Sequence, residues 1–211
     1  MLEPTINGTV GILKAIKQST PSVKRIVITS SIAAVMNPFS APAKYTTEDW
    51  NPVTKKQALK FIRKKLPSIG LATINPPAIL GPVLHYLKFL AEINTSNTTI
   101  ADLMQGKWKN KALSTFTKPW VNVRDVILAY MNTLEISEAA RRRFLLNKGF
   151  VTNTDYIAIA KNNSIIKDKL PKTINKEKIT DFEVDIELVE KILGIKFRSL
   201  EENVFDIITS L

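Results

Sequence analysis

The chain contains no cysteine. No disulfide framework can staple it, and no thiolate metal site can form. It has one histidine, His85. A lone imidazole does not make a metal centre, so no metal is expected, and a partly buried helix residue is the plain reading. Glycine is scarce, with seven in 211 residues. The closest pair is Gly8 and Gly11, and nowhere do three fall at the G-x-x-G-x-x-G spacing of a phosphate-cradling turn. No uninterrupted apolar run approaches ~18 residues, so no membrane span and no membrane partner are expected. The opening residues, MLEPTINGTVG, offer neither a basic n-region nor an apolar h-region. A soluble, cytoplasmic protein is the expectation. The sequons at Asn94, Asn97 and Asn162 then carry little weight, because glycosylation requires secretion.

Carboxylates are in the minority: 30 Lys and Arg against 19 Asp and Glu, a net charge of +11. Such an excess fits a nucleic-acid or other anionic partner, or simply a solvated lysine-rich surface. The positives fall as KK, RKK, KWKNK, RRR and KDKLPK, scattered along the chain. No helix-turn-helix, zinc finger or aromatic RNP pattern accompanies them, so no specific nucleic acid is expected. A basic surface also suits a doubly phosphorylated dinucleotide.

With 45% apolar residues the chain can bury a core and fits one domain with a small appendage. Helical and strand patterns alternate. GTVGILKAIKQS reads as a helix with Ile12, Ala15 and Ile16 inward. KRIVITSS is a β-branched strand from Lys24 to Ser30. A polar loop runs from Asn37 to Thr54. KKQALKFIRKKL is a helix with Ala58, Leu59 and Ile62 inward, and Ile69 to Asn75 is the next strand. Leu84–Glu92 and Thr98–Gln105 read as helices. PWVNV is a strand, RDVILAYMNTLE a helix, RRFLLN a strand and DYIAIAKNN a helix. DIELVEKILG is a helix closed by Gly194. SLEENVFDIITSL is a helix whose Ser199 and Glu202 form a capping box. The alternation predicts an α/β fold with a parallel sheet and helical crossovers.

The most telling stretch is TINPPAILGP, Thr73 to Pro82. An apolar strand stops dead at Asn-Pro-Pro and then Gly-Pro, at the carboxyl end where open α/β sheets bind ligands. This N-P-x-x-[IV]-x-G-P pattern resembles a signature of the extended short-chain dehydrogenase/reductase family. Four further segments resemble the family in the family's order: NGTVGILKAI, KRIVITSSIAAV, PWVNVRDVILAYMNTLE and ILGIKFRSLEENVFD. The last of these, with TEDWNP, is similar to fungal NADPH-dependent aldehyde and ketone reductases, relatives of dihydroflavonol and cinnamoyl-CoA reductases.

The resemblance implies a partial Rossmann-like parallel sheet of the extended type, missing the first strands. It implies one NAD(P)-binding domain over residues 1–211, with substrate-domain elements at approximately 84–118 and 147–211. It also implies NADP as cofactor and a small carbonyl compound as substrate. Ser31 takes the place of the catalytic serine that hydrogen-bonds the substrate oxygen; as an isolated residue it is a hydroxyl capping a strand end. Lys55 takes the place of the lysine that binds the nicotinamide ribose, or is one more surface lysine. Ser30, Lys55, Pro76, Pro77 and Ser96 fall at cofactor-binding positions. Met36 falls where relatives line the substrate pocket, or is ordinary core. Arg124 and Asp125 are expected to anchor a helix, and Glu48 and Asp49, being adjacent, belong to a solvated loop.

Two parts of the family pattern are missing from the chain. One is the G-x-x-G-x-x-G turn. The other is the tyrosine of the Tyr-x-x-x-Lys pair: WNPVT runs straight into KKQALKF, as if a segment had been cut out between Thr54 and Lys55. Tyr45, ten residues before Lys55, is the nearest substitute acid. The expectation is an NADPH-dependent carbonyl reductase that is impaired or inactive as the chain stands. A non-catalytic scaffold and a basic nucleic-acid-binding protein are the alternatives. Without covering strands, the sheet is expected to drive oligomerisation or aggregation.

Overall fold

The computed structural model describes residues 2–19, 22–37, 41–51, 69–114, 118–174 and 182–211. The helix expected at KKQALKFIRKKL, and Lys55 with it, lie outside these.

Three parallel strands form the first sheet: β1 (Arg25–Thr29), β3 (Gly70–Asn75) and β6 (Arg143–Leu145), in the order β1-β3-β6. The parallel reading of the sequence holds for these strands. β3 lies in the middle and all six of its residues are buried, as expected of a strand covered on both faces. A short pair, β2 (Lys44–Tyr45) with β8 (Glu183–Val184), sits within what the sequence presents as loop. A second three-stranded sheet joins β4 (Ala78–Leu80), β5 (Lys118–Asn122) and β7 (Gly149–Val151), parallel between β4 and β5 and antiparallel between β5 and β7.

One face of the first sheet is covered by α1 (Leu2–Ser19). The inward residues are Leu13 and Ile16, packed against Ile69, Leu71, Ile26 and Ile28. Ile12, expected inward, is 66% exposed, and Ala15 is exposed too. Neighbouring helical residues diverge by about 100°, so only one of Ile12 and Leu13 can meet the sheet. Leu13 with Ile16 makes the i, i+3 pair that does.

The other face is covered by α3 (Val123–Glu135) and α5 (Glu187–Leu193), around Ala72, Ile74, Val126, Ala129, Phe144, Val189 and Leu193. Gly70 leaves little room for a side chain in this packing. A Cβ there would lie 3.0 Å from Arg25 Nε and 3.1 Å from Ala140 Cβ. The Arg25 side chain uses the gap to reach the last carbonyls of α3, donating from Nη1 to Thr133 (2.6 Å) and Ile136 (2.9 Å). A guanidinium there complements the helix C-terminus.

The second core gathers α2 (Thr98–Met104), α4 (Asn153–Ala160) and α6 (Leu200–Ser210) around Trp108, Trp120, Tyr156 and Ile157. Both ends of this region are capped as their residues dictate. Thr152 and Asp155 form a capping box on α4. Ser199 accepts from Glu202 N at 3.1 Å on α6. The Glu202 carboxylate lies near Arg124 and Arg198 instead of closing the box expected there.

The helix expected at Leu84–Glu92 does not form. Only a 3-10 turn, Leu90–Glu92, appears. Leu84 is 92% exposed and Tyr86 88%, so an amphipathic helix would have no surface to bury its apolar face against.

Candidate functional site

β1 and β3 end side by side, with Thr29 paired to Ile74. Beyond them the chain turns under tight constraint. Ser30 N donates to Ile74 O (2.8 Å) and Ile32 N to Pro76 O (3.0 Å). Asn75, fully buried, spans the two strand ends through its amide: Nδ2 donates to Ser30 Oγ (3.0 Å) and to Ser31 O (2.8 Å). Ser31 Oγ accepts from Ala33 N at 3.1 Å, capping the 3-10 turn Ile32–Ala34. Its side chain is exposed. The bond to Ala33 uses an acceptor lone pair, so the hydroxyl proton is left to donate outward.

The structure therefore brings Ser30, Ser31, Pro76 and Pro77 together at the carboxyl ends of the strands. Pro77 opens a groove of about 460 Å³. Its walls are Ile79 to Val83, His85, Asn94, Ser96, Asn97 and Val123. Gly81 is required at its floor. At φ 155°, it would place a Cβ 2.4 Å from Val123 Cγ1. Asn97 fixes the same turn, donating from Nδ2 to Gly81 O at 2.8 Å. Ser96, a cofactor-binding residue by resemblance, lines this groove. His85 lies at its exposed rim in irregular chain, not in a helix. Met36 packs half-buried against Val35, Tyr45 and Leu145, which favours the core alternative.

The loop after Tyr45 is locked to the serine turn by Arg143. Its guanidinium lies 3.7 Å over the Trp50 ring. It donates to Thr47 O (3.0 Å), Asp49 O (2.6 Å) and Ala34 O (3.3 Å). Asn51 adds bonds to Ala34 O and Ala33 O, each at 3.0 Å. Burial pulls the Arg143 guanidinium down to about 10, against the pull of Glu48 and Asp49. It stays cationic at neutral pH. Asp49 does not act as one of a carboxylate pair, because its Oδ2 closes a turn by accepting from Thr46 N (2.6 Å) and Thr46 Oγ1 (2.9 Å).

No hydrogen bond joins a described tyrosine to Ser31. Tyr45 is 1% exposed, and its hydroxyl is committed to Asn37, accepting from N at 3.0 Å and donating to O at 3.3 Å. Tyr130 donates to Thr29 Oγ1 at 2.5 Å. Tyr156 is buried among the second core, which pushes its hydroxyl up, with Asp155 adding to the shift. Tyr86 points into solvent.

Arg124 and Asp125 anchor α3, as expected. Asp125 is fully buried. It pairs with Arg198 Nη1 and accepts from Arg198 N at 3.0 Å. Arg124 pairs with Asp206. Sequence reasoning missed Asn75, Asn97 and Arg143. Asn75 stood inside the N-P-P signature, but Arg143 was hidden in a run of three arginines, where only the tertiary fold distinguishes one from the next.

No family model matches the chain. Curated relatives do. A ketoreductase of Aspergillus niger is 34% identical over 232 positions, covering 100% of this chain and 69% of the relative. An NADPH-dependent methylglyoxal reductase of Saccharomyces cerevisiae is 28% identical, covering 98% and 69%. A cinnamoyl-CoA reductase of Medicago truncatula is 26% identical, covering 100% and 67%. The 232 aligned positions against 211 residues leave at least 21 positions of the ketoreductase with no counterpart here. Among solved structures, the yeast methylglyoxal/isovaleraldehyde reductase complexed with NADPH superposes with a TM-score of 0.82 at 25% identity, over 100% of this chain and 70% of that one. A UDP-glucose 4-epimerase of Thermotoga maritima, 17% identical with a TM-score of 0.71, shares the fold.

Proposed function

The chain belongs to the extended short-chain dehydrogenase/reductase family, among its NADPH-dependent aldehyde and ketone reductases, and from that premise we propose that it is the carbonyl-binding part of such a reductase without the proton donor. In this reading the substrate is a small aldehyde or ketone. The Ser31 hydroxyl donates to its oxygen. Asn75 fixes Ser30 and the Ser31 carbonyl, and Arg143 fixes the turn that follows. The observation that carries the reading is the placement of Ser31: an exposed hydroxyl, held by its acceptor side, at the carboxyl ends of two parallel strands.

NADPH, when bound, would supply a hydride to the carbonyl carbon. The groove fits part of that cofactor. Ser96 and Asn94 offer polar groups, Gly81 and Pro82 allow close backbone approach, and Pro76 and Pro77 border the serine turn. Among the described residues no lysine or arginine lines it, so those residues alone do not grip three phosphates. Lys55, by resemblance, would meet the ribose. A cytoplasmic location belongs to the same reading. So does an assignment of the two cores to nucleotide-side and substrate-side parts of one domain.

Reduction also needs a proton at the developing alkoxide. A serine alone, with its ordinary alcohol acidity, is a poor source. Tyr45 is buried and committed to Asn37, Tyr156 is buried in the other core, and Tyr130 commits its proton to Thr29 Oγ1. The chain therefore holds carbonyl compounds without reducing them. Saturation-transfer NMR with a small ketone tests this. Transfer should be lost in Ser31→Ala and kept in Lys14→Ala, a substitution on the exposed face of α1. Equal transfer in wild type and Ser31→Ala would refute the assignment of Ser31.

A further inference from the structure

The basic charge that looks scattered in the sequence is gathered by the fold. The segment 105–113 and the segment 161–173 run side by side. Lys172 N donates to Lys109 O (3.0 Å), Ala112 N to Thr173 O (3.0 Å), and Lys111 bridges Thr173. Gly106 abuts Lys169 closely enough that a Cβ would lie 3.8 Å from the lysine's own. These two segments hold seven lysines and one carboxylate, Asp168, so 22 residues carry +6 of the chain's +11. Every one of those lysines is exposed. Only Lys107 has an acidic partner within 4 Å among the described residues, Asp102 at 2.6 Å.

We propose that this lysine face is a docking surface for an anionic lipid leaflet. Clusters of four to eight basic residues bind acidic headgroups through summed attraction at the surface. No membrane-spanning helix is needed for this, and no described helix is long and apolar enough to be one. Two features favour lipid over nucleic acid. Leu113 (57% exposed) and Ile165 (56% exposed) stand in the same two segments. Aliphatic side chains gain from entering the headgroup boundary and gain nothing from a phosphate backbone. The face also has no arginine fork for bidentate phosphate contacts. Its one aromatic, Trp108, is buried at 8% exposure and offers no platform for stacked bases.

The test is co-sedimentation of the purified chain with vesicles at ~0.15 M salt, where the screening length is about 8 Å. Vesicles of phosphatidylcholine alone should bind little. Vesicles containing phosphatidylserine should bind the chain and release it as salt rises. Charge reversal at Lys109 and Lys169 should weaken binding at least about fivefold per lysine. The variant with Leu113→Ser and Ile165→Ser should also bind more weakly. Reversal at Lys14 and Lys24, exposed lysines outside the face, leaves the net charge equally reduced and should change binding far less. Equal losses for the two lysine pairs would mean that bulk charge alone acts, and would overturn the proposal. So would an absence of phosphatidylserine preference. Tighter binding to a DNA duplex, unaffected by the two serine substitutions, would assign the face to nucleic acid instead.

Discussion

Replacing Asp125 with asparagine probes the joint between the first sheet and the C-terminal helix. The carboxylate is fully buried on α3. Both of its oxygens accept from Arg198, one from the guanidinium and the other from the backbone N–H at 3.0 Å. An asparagine keeps the shape but has one acceptor. In either amide orientation its NH₂ faces an N–H donor, and the guanidinium loses its opposite charge. Breaking a buried ion pair from one side costs about 3–5 kcal/mol. Here the figure must be discounted, because the Arg198 side chain is 29% exposed and Glu202 stands 3.4 Å from its Nε as an alternative partner. A loss of about 2–3 kcal/mol is expected. At about 2–4 °C per kcal/mol for a chain of this size, the melting temperature should fall by roughly 4–12 °C. Urea unfolding gives the free energy directly. The double variant Asp125→Leu with Arg198→Met should lose less than the sum of its two single variants, since removing both charges leaves neither stranded. Additive losses, or a single-variant loss under ~1 kcal/mol, would refute the assignment of Asp125 and Arg198 as a coupled anchor.

Arg143→Met should release the 46–51 loop: hydrogen exchange at the Asn51 amide, now bonded to Ala34 O, should speed up, while Arg143→Lys should restore protection only in part. Gly81→Ala forces a Cβ to 2.4 Å from Val123 Cγ1 at φ 155°; a loss above ~2 kcal/mol, seen as a drop in urea midpoint, is expected. The raised Tyr156 hydroxyl keeps its proton in the folded chain after the unfolded chain has lost it. Stability from this group is therefore present below about pH 10 and falls as pH rises beyond it. Thermal melts at pH 9 and 11 should show that fall, and Tyr156→Phe should reduce it.

Much of this is legible in the sequence alone. Strand-and-helix alternation predicted parallel β1, β3 and β6 because each holds a β-branched or apolar run of strand length between helical patterns. TINPPAILGP placed the site because Pro-Pro cannot continue a ladder. What escaped were features set by contacts between distant segments. The inward face of α1 depended on which of two adjacent apolar residues the sheet could accept. The Leu84–Glu92 segment has helical spacing but no surface to lie on. Lys109 and Lys172 are far apart in sequence and adjacent in space. Arg143 looked like its two neighbours until the fold set it over Trp50.

The central claim is that the chain positions a carbonyl group beside Ser31 but has no acid to protonate it. The decisive measurement is NADPH consumption by the 211-residue chain with methylglyoxal. General acid catalysis contributes about 10²–10⁴-fold, and its loss adds to that of cofactor positioning. The account predicts consumption no faster than without protein, unchanged by Ser31→Ala. Stoichiometric oxidation of NADPH that disappears in Ser31→Ala would contradict it.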